Sequence, residues 1–401
     1  MPTTLAAACP GLPVFCPEAL VSPVRPWRTD HERTTVSLFP SPAEREHGNG
    51  APRGRFGWWL LVVALVAAIV LSFVPTPYVI QEPGPVYDTL GTVEIDGDET
   101  ELIDIDAQTY ETSGSLDLLT VSVVGSRATP TGWFSVISAW FDRSRSVVPL
   151  DAVYPENTSF EEAEEANRVE MENSQREAVA AALRELGYEV EGTLTIASVA
   201  EGYPAEGLIE PGDIIVAVDG TAYSDVSTLR SAFAAHGTQS PATVTVLRDG
   251  EQFDVEVTPV MSEGEEPIPV VGVGVQVDYD LPVDVEITLD SVGGPSAGLM
   301  FALGIIDKLT PGEQTGGEHI AGTGTITADG RVGAIGGVRQ KMFGAARAGA
   351  EWMFVPERNC AETIGHEPEN LRVIAVETLS DAVSALDAIG AGDAESLPSC
   401  G

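Results

Sequence analysis

The segment that most constrains the fold of this chain is a predicted strand-to-helix junction at residues 293–298. Its sequence is Gly-Gly-Pro-Ser-Ala-Gly. Residues 281–290 alternate in polarity as a strand does. An apolar helical pattern follows Pro295, and proline is common at the first position of a helix. The junction therefore predicts Ser296 in the first turn of a helix. Free backbone N–H groups and the positive end of the helix dipole meet there and would stabilise negative charge beside the Ser296 hydroxyl.

A nucleophilic serine requires a base, and the basic residues leave few choices. Of 21 Lys and Arg residues only two are lysines, Lys308 and Lys341. Lys308 follows Ser296 on the same predicted helix at a distance of about 18 Å, which is too far for proton transfer. Lys341 lies early in a second predicted helix, opened by Gly336 and Gly337 among apolar neighbours, where burial lowers the pKa of an amine. The sequence therefore predicts Ser296 as nucleophile and Lys341 as general base.

These segments resemble, in the same order, the catalytic domain of Lon-type peptidases, which use a Ser-Lys dyad. The resemblance is carried by Pro-Ser-Ala-Gly at 295–298, Thr-Gly-Thr-Ile-Thr at 323–327, Gly-Arg-Val at 330–332, and Ile-Gly-Gly at 335–337 with a lysine four residues later. It implies an α+β domain of the ribosomal protein S5 domain 2-like kind. It also implies Ser296 and Lys341 as the dyad and Thr323 as the hydroxyl that holds the lysine.

Two positions depart from the family pattern. Many relatives carry an acidic residue two positions before the Pro-Ser, where this chain has Gly293, and often another where it has Thr325. No acidic third member of the site is therefore predicted. The oxyanion hole is predicted from backbone N–H groups, those of Gly294, Ser296 and Ala297.

A second module covers residues 188–261. Its Pro-Gly-Asp-Ile-Ile at 211–215, followed by Val-Asp-Gly at 218–220, resembles a bacterial PDZ domain. In such domains a chain end adds as an extra strand, here predicted beside residues 193–199, with the helix from Val226 as the opposite wall. A PDZ fold used only as a spacer is the plain alternative. The predicted peptide-binding residues are Thr193, Leu194, Thr195, Ile196, Val226 and Leu229.

The order of these patterns predicts how the chain is divided. Strand-like runs and a long helix before the PDZ module also resemble the opening of the Lon catalytic domain, so we predict that the PDZ module is an insertion in the catalytic fold. The predicted segments are a disordered cytoplasmic leader (1–55), a transmembrane helix (56–75), an N-terminal part of the catalytic region (78–187), the PDZ domain (188–261), the Lon-type catalytic domain (271–390) and a tail (391–401).

An uncharged apolar run of eighteen residues, 57–74, follows three arginines. Its length is the minimum for a membrane span, and a long leader together with Pro75 and Pro77 after the run argues against a cleaved signal peptide. Basic residues before the run and acidic sequence after it predict a single-pass anchor with the bulk of the chain outside the cytoplasm. A short aromatic segment at 133–141 is predicted either as a packed helix or as one resting on the membrane surface.

Composition restricts partners and cofactors. The net charge of −40 over 401 residues argues against nucleic acid, whose phosphates such a surface would repel. No Gly-x4-Gly-Lys-Ser/Thr motif occurs, so no ATP use is predicted, and the five histidines and four cysteines show no metal-ligand spacing. We predict no cofactor and no metal. Cys360 and Cys400 could pair in an oxidising compartment, and two free thiols are an equal alternative.

The sequence thus predicts an ATP-independent, membrane-anchored serine endopeptidase of the Lon type. Its partners would be unfolded or membrane-proximal protein substrates recruited by the PDZ domain, and membrane lipid through one helix. The resemblance also implies a homo-oligomer, with the hexamer as the form common to such domains. Two alternatives remain: a PDZ peptide-binding adaptor with an inactive peptidase domain, and a phosphate-binding loop at residues 293–298, as in small-molecule kinases of related fold.

Overall fold

The structure is a computed structural model that describes residues 53–95, 97–154, 160–262, 267–289 and 292–400. The predicted leader (1–55) lies almost wholly outside these residues. The chain divides into two compact units at Leu60 and Leu61, within its first helix. All strands and the other helices named below belong to the second unit.

The α-helices of the described residues range from single turns to a helix of 26 residues. In chain order they are α1 (Arg53–Phe73), α2 (Trp133–Trp140), α3 (Leu150–Val153), α4 (Phe160–Glu185), α5 (Val226–His236), α6 (Gly298–Leu309), α7 (Val338–Ala348), α8 (Cys360–Thr363) and α9 (Leu379–Gly390).

The strands fall into one six-stranded sheet, one five-stranded sheet and short two-stranded pairs. In chain order they are β1 (Tyr78–Asp88), β2 (Thr92–Ile95), β3 (Asp98–Glu101), β4 (Ile103–Ile105), β5 (Ser115–Val124), β6 (Ser146–Pro149), β7 (Glu191–Val199), β8 (Ile214–Val218), β9 (Ala242–Arg248), β10 (Glu251–Val257), β11 (Val260–Met261), β12 (Pro269–Val270), β13 (Val273–Asp280), β14 (Val285–Ile287), β15 (His319–Gly322), β16 (Thr325–Ile326), β17 (Val332–Gly333), β18 (Trp352–Pro356) and β19 (Arg372–Val376).

The six-stranded sheet has the order β19-β18-β15-β5-β1-β6. Three of its strands precede residue 150 and three follow residue 318, so the PDZ module lies between the two halves of one sheet in sequence. Strand β15 joins the halves, because it pairs in parallel with β5 on one side and with β18 on the other. The insertion predicted from sequence is therefore present in the fold.

Helix α6 forms the centre of the catalytic core. Every residue from Gly298 to Lys308 is buried, as expected of a helix that is apolar on nearly all sides. It packs against α4, α9 and β5. The apolar second half of α4, rich in alanine, lies in the same core, and the helix is followed by Gly187 at φ +84, a conformation typical of glycine after a helix end.

The five-stranded sheet has the order β10-β9-β8-β7-β13 and encloses the core of the PDZ module. Its last strand, β13, falls in the range that the sequence assigned to the catalytic domain. The predicted boundary at residue 271 is therefore wrong: the sheet continues to Asp280, which pairs with Glu191. Within the predicted strand over 281–290 the structure has only the short strand Val285–Ile287. The longer strand, β13, ends before Leu281.

Helix α1 extends over 21 residues and contains residues 56–73 of the predicted transmembrane segment. Within the described part of the chain, no helix combines the length and the apolarity that crossing a bilayer requires. The predicted transmembrane helix over 56–75 is thus not supported.

A disulfide joins Cys360, at the start of α8, to Cys400 near the end of the chain. Of the two alternatives left open by the sequence, the structure contains the pair rather than two thiols. The bridge fastens the C-terminal segment, whose Ser399 forms a β-bridge with Ile374 of β19. The edge of the six-stranded sheet is thereby covered.

Candidate active site

The strand-to-helix junction places Ser296 in a turn before α6. The helix begins at Gly298, so the prediction that Ser296 lies in its first turn is wrong by two residues. The carbonyl of Ser296 accepts hydrogen bonds from the Gly324 N–H and from Thr323 Oγ1, both at 3.0 Å. The segment after β15 therefore fixes the backbone of the candidate nucleophile from one side.

Helix α4 fixes the same junction from the other side. The Ser174 hydroxyl, buried in the core, donates to the Pro295 carbonyl at 2.9 Å. The Asn167 carbonyl accepts from the Gly294 N–H at 3.0 Å. The sequence analysis predicted a long helix before the PDZ module and missed both contacts. No local pattern marks them, because each depends on how α4 packs against a segment more than a hundred residues away.

Helix α7 supplies Lys341. Its N-cap is Gly337, whose φ of +69 lies in the left-handed region that favours glycine, and Lys341 falls in the first turn. The Lys341 Nζ lies 2.7 Å from Ser296 Oγ and 2.8 Å from Thr323 Oγ1. The structure thus brings together the three side chains that the sequence named as dyad and support.

The environment of Lys341 favours a neutral amine. The residue is 2% exposed, and burial lowers the pKa of its amine to about 7. A base in contact with a hydroxyl is most effective when its pKa lies near the working pH. Lys308, the other lysine, is also buried, but it donates to Glu101 Oε2 and to the Ile103 carbonyl and makes no contact with Ser296.

Thr323 connects base and nucleophile through one hydroxyl, which accepts from Lys341 and donates to the Ser296 carbonyl. We expect Thr323→Val to lower kcat by about 10- to 100-fold with little change in KM, because the amine loses the acceptor that orients its lone pair. Steady-state cleavage of a peptide substrate measures this. Thr89→Val is the matched control, since Thr89 is equally buried and its hydroxyl donates to the Leu116 carbonyl outside the site. Equal activity in the two variants would contradict a role for Thr323.

The predicted oxyanion hole requires one correction. The Gly294 N–H is directed at the Asn167 carbonyl, so it is not available to a substrate. The N–H groups of Ser296 and Ala297 have no hydrogen-bond partner among the described residues. Two of the three predicted donors therefore remain open.

A cleft of about 620 Å³ opens beside Ser296 and Lys341. One wall comes from β5 and the other from the first part of α4, with the 292–297 junction between them. Most side chains in it are apolar, and Glu170 supplies an acidic group. The lining includes Tyr87, Leu119, Val121, Asn167, Glu170, Met171, Val292 and Ile335.

The structure explains why position 293 is a glycine, where the family pattern often has an acidic residue. A Cβ at this position would lie 2.7 Å from the Asn167 Cβ, so α4 leaves no room for a side chain. The close approach of α4 to the junction thus takes the space that an acidic residue would need.

The edge of β7 at which the sequence places an added strand is already occupied by the chain itself. Strand β7, which contains Thr193, Leu194, Thr195 and Ile196, pairs with β8 on one edge and with β13 along the other. It has no edge left for an added strand. Strand β13 is instead the last strand of the sheet, and α5, which carries Val226 and Leu229, packs against β12 and β13. The sequence analysis missed the pairing of β13 with β7, because β13 lies after the residues that carry the PDZ signature. Strand β13 forms the edge of the sheet next to β7.

Comparisons with known proteins match both modules. The model of the Lon protease C-terminal proteolytic domain matches residues 283–387, and a PDZ domain model matches residues 168–258. Lon protease of Clostridioides difficile (strain 630) is 43% identical over 79 residues, 20% of this chain and 10% of that protein. Lon protease of Campylobacter concisus (strain 13826) is 31% identical over 145 residues, 35% of this chain and 18% of that protein.

Among solved structures, the PDZ domain of an SdrC-like protein from Listeria innocua is 16% identical and is matched over 92% of its length and 21% of this chain, with a TM-score of 0.20. At that score the likeness supports no conclusion here. The chain spans only a small part, 10–18%, of the two Lon proteases described above.

The family match and the site geometry thus assign residues 283–387 to a domain similar to the C-terminal proteolytic domain of Lon proteases. In this chain that domain carries a PDZ domain between the two halves of its sheet.

Proposed function

We propose that the chain is an endopeptidase that hydrolyses peptide bonds of unfolded or membrane-proximal proteins without a nucleotide. The observation that carries the proposal is the 2.7 Å contact between Lys341 Nζ and Ser296 Oγ beside an open cleft. The neutral amine takes the hydroxyl proton as Ser296 attacks the scissile carbonyl, and it then gives the proton to the leaving amine. Water hydrolyses the resulting acyl-enzyme by the same proton route.

The charge that develops on the substrate oxygen also needs donors. The N–H groups of Ser296 and Ala297 lie at the turn before α6, where the dipole of that helix adds positive potential. The phosphate-cradle alternative uses the same N–H groups, but a buried amine in contact with a serine hydroxyl favours proton transfer over anion binding.

Cleavage of an unfolded protein by the purified full chain, with and without ATP, tests this function. We expect equal cleavage in both conditions, since the sequence has no P-loop motif. Cleavage that requires ATP would reject nucleotide independence. Binding of the unfolded protein without cleavage, in the presence or absence of ATP, would favour the adaptor alternative.

We also propose that the PDZ module recruits substrates at the free edge of β13, with α5 as the opposite wall. An added strand would gain backbone hydrogen bonds there and side-chain contacts with the helix. Val226→Asp, a half-buried position of α5, is expected to raise KM several-fold for a long unfolded substrate and to leave cleavage of a short peptide unchanged.

Hydrogen exchange measures the location of the added strand directly. Substrate binding to the full chain should slow exchange in residues 273–280 and leave residues 191–199, already paired on both edges, unaffected. Slowed exchange in 191–199 alone would contradict the β13 groove.

A location at the cell membrane, with the bulk of the chain outside the cytoplasm, remains a proposal. It is supported by the apolar run at 57–74, by the arginines that precede it, and by a disulfide of the kind that persists in oxidising compartments. Fractionation followed by protease treatment of intact cells tests it, and a chain that stays with the soluble cytoplasmic fraction would reject it.

The homo-oligomer implied by the family resemblance is likewise a proposal. Sedimentation of the full chain in detergent measures its mass, and a monomer at micromolar concentration would reject it.

A further inference from the structure

Helix α2 carries an exposed apolar face outside the site. Phe134, Ile137, Trp140 and Phe141 form this α2 face, and their exposed fractions are 70%, 41%, 61% and 86%. Phe134, Ile137 and Phe141 follow the three- and four-residue spacing of a single helix stripe, and Trp140 adjoins Ile137. The opposite side of the helix, Val136 and Ala139, is buried against the domain. The α2 face therefore has no contact partner within the described chain that would explain its composition.

The charge pattern of the surrounding sequence is also unusual for this protein. The chain contains 61 acidic residues, yet none occurs from residue 118 to residue 141. Arg127 is the single charged residue in that interval, which is followed by Asp142, Arg143 and Arg145. Arg127 is paired with Asp151, and Arg145 is paired with Glu82 and Asp142. The absence of carboxylates from residues 118–141 avoids repulsion between the α2 face and anionic lipid headgroups, and Arg143 adds a basic group beside it.

Backbone contacts place α2 next to the apolar helix α1. Helix α1 ends at Phe73, and two residues later Pro75 forms a β-bridge with Gly132, the N-cap of α2. The Thr76 N–H donates to the Thr131 carbonyl at 3.0 Å. Two residues of extended chain span at most about 7 Å, so the start of α2 is held close to the end of the apolar run.

We infer that the α2 face inserts into the headgroup layer of a lipid bilayer. Trp and Phe side chains are the residues that prefer this layer, and a short uncharged helix with one exposed apolar stripe suits a position in the plane of the interface. The inference rests on the proposed membrane location. It adds that the peptidase domain itself, and not only the apolar run, contacts lipid, which holds the domain at the surface from which membrane-proximal substrates emerge.

A fluorescent probe at Phe141 tests this contact in the full chain. The probe NBD is attached to Phe141→Cys in a background in which Cys9 and Cys16 are serine, and the protein is reconstituted into vesicles of phosphatidylcholine and phosphatidylglycerol. The matched control is Leu208→Cys, at an apolar PDZ residue that is 45% exposed. We expect a blue-shifted emission and strong quenching by spin-labelled lipid at position 141, and neither at position 208.

The outcomes separate this inference from the proposals on which it rests. Equal lack of quenching at both positions, in protein that floats with the vesicles, overturns the α2 contact and leaves the membrane location intact. Protein that does not float overturns both, and cleavage of an unfolded substrate still reports on the peptidase independently. Self-quenching at position 141 in detergent, without lipid quenching in vesicles, would instead identify the α2 face as a contact between two copies of the chain.

Discussion

Ser296→Ala and Lys341→Ala are each expected to lower cleavage of an unfolded substrate by about a thousandfold or more, to the background rate. The first removes the oxygen that attacks the scissile carbonyl, and the second removes the group that takes its proton. The two effects should not add, because the groups act in the same step. Steady-state cleavage by the two variants and by the double variant measures this.

Lys308→Met is the matched control for the lysine, since Lys308 is the other lysine of the chain, is buried, and makes no contact with Ser296. Its activity per folded molecule should stay within about threefold of the parent. Circular dichroism melting curves show whether each variant is folded. Cleavage by Ser296→Ala at a tenth of the parental rate would place the nucleophile elsewhere.

The rate of cleavage should fall at acidic pH with the protonation of Lys341. Burial lowers the pKa of this amine to about 7, and only the neutral amine accepts the serine proton. We therefore expect kcat/KM to be flat well above pH 7 and to fall about tenfold for each pH unit well below it. An unperturbed lysine, with a pKa near 10.4, would place the same limb more than three units higher.

The pKa of Lys341 can also be tested by the pH dependence of the free energy of unfolding and by the variant Lys341→Arg. The unfolded chain keeps Lys341 protonated up to about pH 10.4, while the folded chain releases that proton near pH 7. Because the unfolded state then binds more protons, this group makes the free energy of unfolding rise with pH between the two values.

Lys341→Arg, whose side chain stays charged, should be inactive at every pH. An acidic limb near pH 10 would contradict a buried, neutral base.

The sequence predicted the dyad because its signals are local. A glycine-rich junction and a glycine-capped helix identify Ser296 and Lys341, and burial of the lysine follows from its apolar neighbours. The first strand and the helix of the PDZ module, β7 and α5, were also correct to within a few residues. These elements have short periodic patterns bounded by turn residues.

The errors concern contacts made at long range. Strand β13 was assigned to the wrong domain because its alternating valines suit either sheet, and only pairing with β7 decides between them. The loss of Gly294 as an oxyanion donor depends on Asn167 of α4, more than a hundred residues away. Neither the end of a strand pattern nor a glycine at a turn carries information about such partners.

The pairing of Glu191 with Asp280 has a consequence for how this chain can fold. An unstructured segment of the length of residues 191–280 would oppose the meeting of its flanks by about 4 kcal/mol of closure entropy. Once the inserted module has folded, its own first and last strands hold those flanks one strand spacing apart, about 5 Å. The module therefore acts as a preformed short turn, so that α4 and the segment that leads to α6, which pack together, can meet as though little chain separated them.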